Sequence, residues 1–398
     1  MAISEERPHR FFEPDEYTAI NKRYFADIHG AGCVQLDPSG WVQTLSDAAG
    51  MVLLPERKLP LSRYYMDEGN ALGEARSSLQ DLLSAWEGIA MDPMRFTACP
   101  SVGVASLLTM AVLRRKGVGR IIFETPCYFA AILQAEWLGL EPVLVPSYRR
   151  DGYRPLAGFA IPRIKQRSAW WLTHPRVTLG FNQKPENVRA LTRGLAAGDY
   201  VVIDEALDQS FPSELGRLHA TESEQRLIRL KGFGKPLGLN GYRLAFILHP
   251  AALRADMVDC LETFAGAIDA HSLEAACAVA AEPHHLSRMM QVANHQVLAL
   301  RVAADKVVAG SAVAVNPLVN GYLGSAVVNL QSLGADQQSR RHRFLLGCQK
   351  RGMPVIIGPS MHFASDPPSE AVRLNFFSTR EYVLRGVAAF TEIAAAIS

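Results

Sequence analysis

The sequence has little charge of one sign. Lys and Arg number 41 against 39 Asp and Glu, a formal net charge of +2 over 398 residues. That balance speaks against a nucleic-acid-binding surface, and there is no acidic tail to act as a solvating segment. Cysteine is sparse: six residues, at 33, 99, 127, 260, 277 and 348, with no C-x-x-C pair. The spacing fits neither a disulfide framework nor a structural zinc site, and free thiols suit a reducing, cytoplasmic setting. No long hydrophobic run is present either. The most apolar stretch, Ala98 to Leu113, is interrupted by Pro100, Ser101, Ser106 and Thr109, so no membrane span is expected. Met1 to Arg10 is polar and charged, unlike a secretory signal. Internal repeats and low-complexity segments are absent as well. What remains is a chain 48% hydrophobic, long enough for a large core and for two domains.

Apolar runs alternate with amphipathic ones through the first two thirds. Gly73 to Gly88 reads as a helix with Leu79, Leu82, Leu83 and Trp86 on one face. Strands are expected at Arg120–Glu124, Pro142–Val145, Ser168–Leu172, Tyr200–Ile203, Arg226–Leu230 and Leu244–Leu248. Helices fall between them at Tyr128–Leu138 and at Pro185–Leu195, the latter with proline in its first turn. Strands separated by helices imply a mostly parallel sheet covered on both faces. The texture changes after Pro250. A long helix, His284–Val308, precedes strands at Ala326–Leu330, Val355–Ile357 and Val372–Phe376, a helix at Asp336–Lys350 and a closing helix, Glu381–Ile397. This half reads as a smaller α+β domain. The expected division is an N-terminal arm, 1–45, a large domain, 46–270, and a small domain, 271–398.

The chemistry centres on Lys231 to Arg243, KGFGKPLGLNGYR, where Lys235 begins the spacing K-x-x-G-x-x-G-x-R that ends at Arg243. Glycines allow a tight turn and close approach to a ligand. A lysine shielded from water can form a Schiff base, and an arginine can take a phosphate with two hydrogen bonds. An aldehyde and a phosphate in one ligand describe pyridoxal phosphate. Alone, the stretch also fits a glycine-rich turn with two solvated cations. Asp204 ends the apolar run VVID, where a carboxylate can hold a pyridinium nitrogen protonated, or can simply cap a turn. Lys235, thirty-one residues on, favours the first role. Ser101, Val102 and Gly103 precede an apolar helix and would present N–H groups to an anion. Tyr128 follows a strand end and suits either ring stacking or a core position. Arg373 lies within an apolar strand and needs a partner, either a substrate carboxylate or a structural acid.

Together these residues, in this order, resemble the class I/II aminotransferases, pyridoxal phosphate enzymes of the aspartate aminotransferase fold (fold type I). The resemblance runs from about residue 34 to the end. It implies that Lys235 holds the cofactor and moves the substrate α-proton. It implies that Asp204 pairs with the ring nitrogen, Tyr128 stacks on the ring, and Arg243 with Ser101–Gly103 binds the phosphate. Arg373 would bind the α-carboxylate of a free amino acid. Tyr65 matches the tyrosine that reaches the neighbouring subunit's phosphate, which implies a homodimer, and Gly358-Pro359-Ser360 also looks like the family. Three positions depart. The asparagine and tyrosine that contact the cofactor's O3′ fall on Val177 and Leu207, and a phosphate-binding serine falls on Gly232. His174, beside the first of these, reads as a packed or capping histidine ahead of a catalytic one, and Arg176 as an exposed cation ahead of a contact for an acidic substrate group. Two alternatives to transamination accompany these departures: a lyase, cyclase or oxidative enzyme on the same cofactor, and a non-catalytic sensor. The short, non-basic arm argues against the sensor.

Overall fold

The structure is a computed structural model that describes residues 72–125, 127–146, 166–176, 180–220, 225–237, 242–266, 268–315, 320–321, 323–328, 343–344, 346–348, 350–351, 371–376 and 380–397. The expected arm, Tyr65, Val177, Gly358-Pro359-Ser360, the strand at 355–357 and most of the helix at 336–350 lie outside the described residues.

A helix, α1 (Leu72–Glu87), leads to a short strand, β1 (Phe96–Cys99), and then to α2 (Val102–Arg115) and β2 (Val118–Thr125). After α3 (Phe129–Trp137) come β3 (Glu141–Pro146), β4 (Arg167–Thr173), α4 (Pro185–Arg193), β5 (Tyr200–Glu205) and β6 (Leu227–Gly232). One helical turn, α5 (Gly234–Leu237), precedes β7 (Ala245–Leu248). These strands form a seven-stranded sheet in the order β1-β7-β6-β5-β4-β2-β3. Only β7 runs against the others, so β1 to β6 all deliver their carboxyl ends to one edge. β2 and β6 are buried along their whole length and β5 along all but its first residue, as expected of strands covered on both faces. α1 buries Leu79, Leu82, Leu83 and Trp86, as its spacing predicts.

The C-terminal half contains α6 (Arg254–Phe264), α7 (Ala270–Ala280), the long α8 (Pro283–Val308), β8 (Val313–Val315), β9 (Leu323–Val328), β10 (Ala371–Asn375) and α9 (Arg380–Ile397). The three strands form a separate antiparallel sheet, β10-β9-β8. α8 joins two cores. Leu286, Met289 and Met290 pack with Trp86 and Phe233, whereas Val297, Leu300, Ala304 and Val308 pack with Phe344, Phe376 and Phe390. Among the described residues no helix is long and apolar enough to cross a membrane, and none of the five described cysteines forms a disulfide.

The strand β1 was not expected from the sequence. Its four residues are all buried, and it is held at its start by His249 at the end of β7. The His249 backbone N–H donates to the Arg95 carbonyl, and Nε2 lies 2.9 Å from Thr97 Oγ1. With Nδ1 2.9 Å from the Pro250 carbonyl, the imidazole is neutral, its proton on Nδ1 and its Nε2 accepting from Thr97. Burial pulls its pKa down to about 4, from 6.5. A depressed histidine stabilises the fold fully above its unfolded value and loses that contribution as pH falls through the folded one. Urea midpoints of the wild type should therefore decline between pH 6.5 and about 4. In His249→Gln this decline should be shallower. Parallel pH profiles for the two proteins would refute it.

Candidate active site

The carboxyl edge of the large sheet carries Ser101–Gly103, Tyr128, Asp204, Lys235 and Arg243. Cys99 ends β1, and Ser101 follows as the N-cap of α2 with extended backbone. Its Oγ accepts the Val104 N–H at 3.2 Å. The N–H groups of Val102 and Gly103 belong to the first turn, where helix geometry provides no intrahelical acceptor. Tyr128 lies beyond β2 at the start of α3, with 45% of its surface exposed.

Asp204, the penultimate residue of β5, is buried. Its Oδ1 accepts the Ala206 N–H at 3.0 Å, and its carbonyl accepts the His174 N–H at 2.8 Å. Burial pushes the carboxyl's pKa up, while the Ala206 N–H and the charge of Lys235 pull it back. Cys127 nearby is buried, and burial, reinforced by Asp204 and Glu124, pushes its thiol's pKa up and keeps it neutral. Lys235 stands in α5, just past β6, half-buried, with Nζ 5.9 Å from the centroid of the Tyr128 ring. Phe233 N–H donates to the Leu244 carbonyl at 3.1 Å and closes the base of the connection holding Lys235 and Arg243. The Arg243 side chain is exposed, and its backbone N–H donates to Ser272 Oγ on α7 at 2.7 Å. Arg373 lies on β10 in register with Ser325 of β9, away from the large sheet. The described contacts therefore bring Lys235 to Tyr128 and to Asp204, and place Ser101–Gly103 on the same sheet edge. Arg373 belongs to the other sheet.

Lys231 and Lys235 are separated by four positions and by entirely different surroundings. Lys231 is fully buried, with Nζ 3.0 Å from Glu87, 2.9 Å from Glu205 and 3.4 Å from Asp208, and 4.9 Å from the centroid of the Trp86 ring. Burial works against its charge, yet the three carboxylates carry its pKa above the ordinary lysine value. Arg229, two residues earlier on the same strand face, ion-pairs with both Glu87 and Glu205. The side chains of the five charged residues are entirely excluded from solvent. Nothing in the sequence reading located this cluster. The available signal was two cations at alternate positions of the apolar strand LIRLKG, which must share one face.

The departures also acquire physical reasons. Leu207 packs into the core formed by the C-terminal half, in the same cluster as Val315, Leu374 and Phe376. At Gly232 an added Cβ would lie 3.1 Å from Val102 Cγ2 and 3.3 Å from the Ala206 carbonyl oxygen, so the end of β6 approaches α2 more closely than a serine allows without movement. His174 is buried, as expected of a packed histidine. Its Nδ1 accepts the Gln183 N–H at 3.1 Å, and Nε2 lies 3.7 Å from Asp208. The reading of Arg176 as exposed is corrected. It is buried and sits 3.3 Å from Glu124, which also takes a short hydrogen bond from Gln183. Glu124 is the penultimate residue of the buried strand β2, and a buried carboxylate there demands a cation.

Residues 68–365 match the family model described as aminotransferase class I and II. A stretch of 150 residues, 37% of the chain, is 25% identical to histidinol-phosphate aminotransferase of Deinococcus radiodurans, and the chain thus spans 41% of the length of that relative. Among solved structures, an aspartate aminotransferase mutant of Thermus thermophilus, complexed with tryptophan, aligns with a TM-score of 0.75 at 16% identity, over 99% of this chain and 100% of that one. YbdL of Escherichia coli, described with a methionine aminotransferase function, aligns at 0.71 and 14% identity, over 98% and 100%. The aromatic aminotransferase of Pyrococcus horikoshii aligns at 0.69 and 17%, over 89% and 99%. These neighbours share the fold, fold type I.

Proposed function

The chain belongs to the class I and II aminotransferase family, whose cofactor is pyridoxal phosphate, and from that premise we propose that it transfers the amino group of a free amino acid to a 2-oxo acid. The observation that carries this reading is Lys235 with its Nζ 5.9 Å from the Tyr128 ring centroid at the carboxyl edge of the sheet where buried Asp204 stands, the lysine's charge acting on that carboxyl. The residues suit the cofactor chemically: an amine in a short turn, a buried carboxylate and an exposed aromatic face. A cationic ring nitrogen would give Asp204 the opposite charge that its burial makes valuable.

Lys235 would bind the aldehyde and then take and return the proton at the substrate α-carbon. Asp204 would keep the ring nitrogen protonated, and Tyr128 would lie on the ring. Arg243 and the N–H groups of Ser101, Val102 and Gly103 would hold the phosphate, the helix start adding its favourable dipole. Arg373 would take the substrate α-carboxylate by a paired hydrogen bond. The bound cofactor supplies an electron sink for the α-carbon and a carrier for the amino group. Tyr65 would reach the phosphate of a second copy, so the working unit proposed is a homodimer. Division into an arm, 1–45, a large domain, 46–270, and a small domain, 271–398, follows the same reading.

The test is stoichiometric. Incubated with an amino acid alone, the enzyme should release one 2-oxo acid for each cofactor converted to its aminated form, and a second 2-oxo acid should reverse the conversion. Release of ammonia in place of cofactor amination would favour the lyase reading. Asp204→Asn should retain the cofactor yet slow this half-reaction by about 10²-fold, the scale of losing one preorganised electrostatic partner. An unchanged rate would show that the ring nitrogen's charge plays no part.

A further inference from the structure

We propose that Gln209 is a positioning residue for Lys235, and that Asn320 couples this positioning to the C-terminal half of the chain. The inference rests on the reading of Lys235 as the cofactor's lysine. Lys235 lies in a helical turn of four residues. A single turn fixes several backbone angles for about one hydrogen bond and does not hold itself. Something outside must keep it in place, and Gln209 is so arranged. Its Nε2 donates to the carbonyl of Pro236, the residue after Lys235, at 3.3 Å. Gln209 is 2% exposed, and among the described residues its Oε1 has no hydrogen-bond partner. The amide's one described side-chain anchor is therefore the Lys235 turn.

Gln209 is itself held from the other half of the chain. Its backbone N–H donates to Asn320 Oδ1 at 2.9 Å, and Asn320 Nδ2 donates to Asp208 Oδ1 at 2.8 Å. Asn320 thus clasps two consecutive residues of the segment after β5 with both ends of one amide. Gly321 completes the seat. Its φ is +73°, and a Cβ there would fall 2.8 Å from Pro175 Cγ and 2.9 Å from the Leu207 carbonyl oxygen. Backbone lies directly on backbone, which only glycine permits. Asp208 Oδ1 also accepts from Ser210 Oγ at 2.6 Å, and its other oxygen, Oδ2, lies 3.4 Å from Lys231 Nζ. The segment 207–209 is thereby fixed between the buried charge cluster and Asn320–Gly321, with the Gln209 side chain reaching to the turn that carries Lys235. A shift of Asn320 would be passed to Lys235 through two hydrogen bonds.

The experiment compares wild type, Gln209→Met, Asn320→Ala and the double variant. Methionine keeps the length and loses the donor. Three quantities are read: the melting temperature of the cofactor-free protein, the rate at which an amine-acylating reagent labels residue 235 relative to the other lysines in that protein, and the pH midpoint of the bound cofactor's visible absorbance. Gln209→Met should change the labelling rate of residue 235 about tenfold, the scale of one hydrogen bond, and shift the midpoint. Asn320→Ala should move both in the same direction, and the double variant should fall short of the sum. If melting falls while labelling and midpoint stay at wild-type values, Gln209 is only structural and the proposal is overturned. If Gln209→Met does not fold, Gln209→Asn serves, since its shorter amide withdraws from Pro236. Borohydride reduction of the wild type separates the underlying reading: a label on any lysine but 235 removes the premise, whatever the variants show.

Discussion

Lys235→Ala is expected to lower turnover by at least about 10³-fold, because one substitution removes both the covalent anchor of the cofactor and the group that moves the α-proton. The neighbouring Lys231 should be unable to replace it. A Schiff-base lysine must reach its neutral form, whereas Lys231 is sealed from solvent and surrounded by Glu87, Glu205 and Asp208, which hold its proton. Burial alone would favour the neutral amine, but three carboxylates within 3.4 Å outweigh it. Lys235 is half-buried on the sheet's carboxyl edge, with Nζ 5.9 Å from the centroid of the Tyr128 ring and its charge acting on Asp204. Borohydride reduction followed by peptide mapping should put the pyridoxyl group on residue 235 and none on residue 231. Addition of a primary amine should restore part of the α-proton transfer in Lys235→Ala. A variant that kept turnover within tenfold of the wild type would place the lysine elsewhere.

The large sheet was readable because its strands carry short apolar runs, such as IIF in β2 and VVI in β5, of the kind that strands covered on both faces show. The sequence places Lys235 after a strand by its glycine spacing, and Asp204 near the end of another by the apolar run before it; β6 and β5 lie there. β1 escaped because four residues beside a small-residue helix start give no period to count, and its place depends on pairing with β7, some 150 positions away in sequence. Arg176 was misread for a related reason. Its partner, Glu124, comes from another strand, and local sequence gives no sign that the two meet. The charge cluster is the extreme case: Glu87 ends a helix, Glu205 and Asp208 flank the end of β5, and Arg229 and Lys231 lie on β6. Each looks like an ordinary surface charge until the sheet is assembled. Gln209 and Asn320 are likewise ordinary residues whose role arises only from the contact between the two halves.

Arg229→Met should be the most destabilising single substitution in the large sheet. The guanidinium bonds Glu87 and Glu205, whose side chains like its own have no solvent access, and also donates to Ser213 Oγ at 3.0 Å. Without it, three buried carboxylates share the single charge of Lys231. Breaking a buried pair from one side costs about 3–5 kcal/mol, a large part of the roughly 5–15 kcal/mol by which a domain is stable. Glu87→Gln combined with Arg229→Met should recover part of the loss, because it removes one uncompensated charge. The pH dependence has a definite sign. Burial opposes the charged form of Glu205 and Asp208, but Arg229 and Lys231 hold Glu205, and Lys231 holds Asp208, below their ordinary values. Their contribution is therefore complete above the unfolded carboxylate values of 3.8 and 4.5 and is lost as pH falls through the depressed ones. Lys231, raised above 10.5, contributes fully below that pH and loses its part only as pH rises beyond it. Arg229→Met should unfold in acid at higher pH than the wild type, since Glu205 would no longer be depressed by its main cation. Because Asp208 also receives Asn320, loosening the cluster should at the same time loosen the seat of the Lys235 turn. Chemical denaturation across pH 3 to 8 decides the matter: a variant whose unfolding free energy stays within about 0.5 kcal/mol of the wild type, the size of an ordinary surface change, would mean that the buried charges contribute nothing net to the fold.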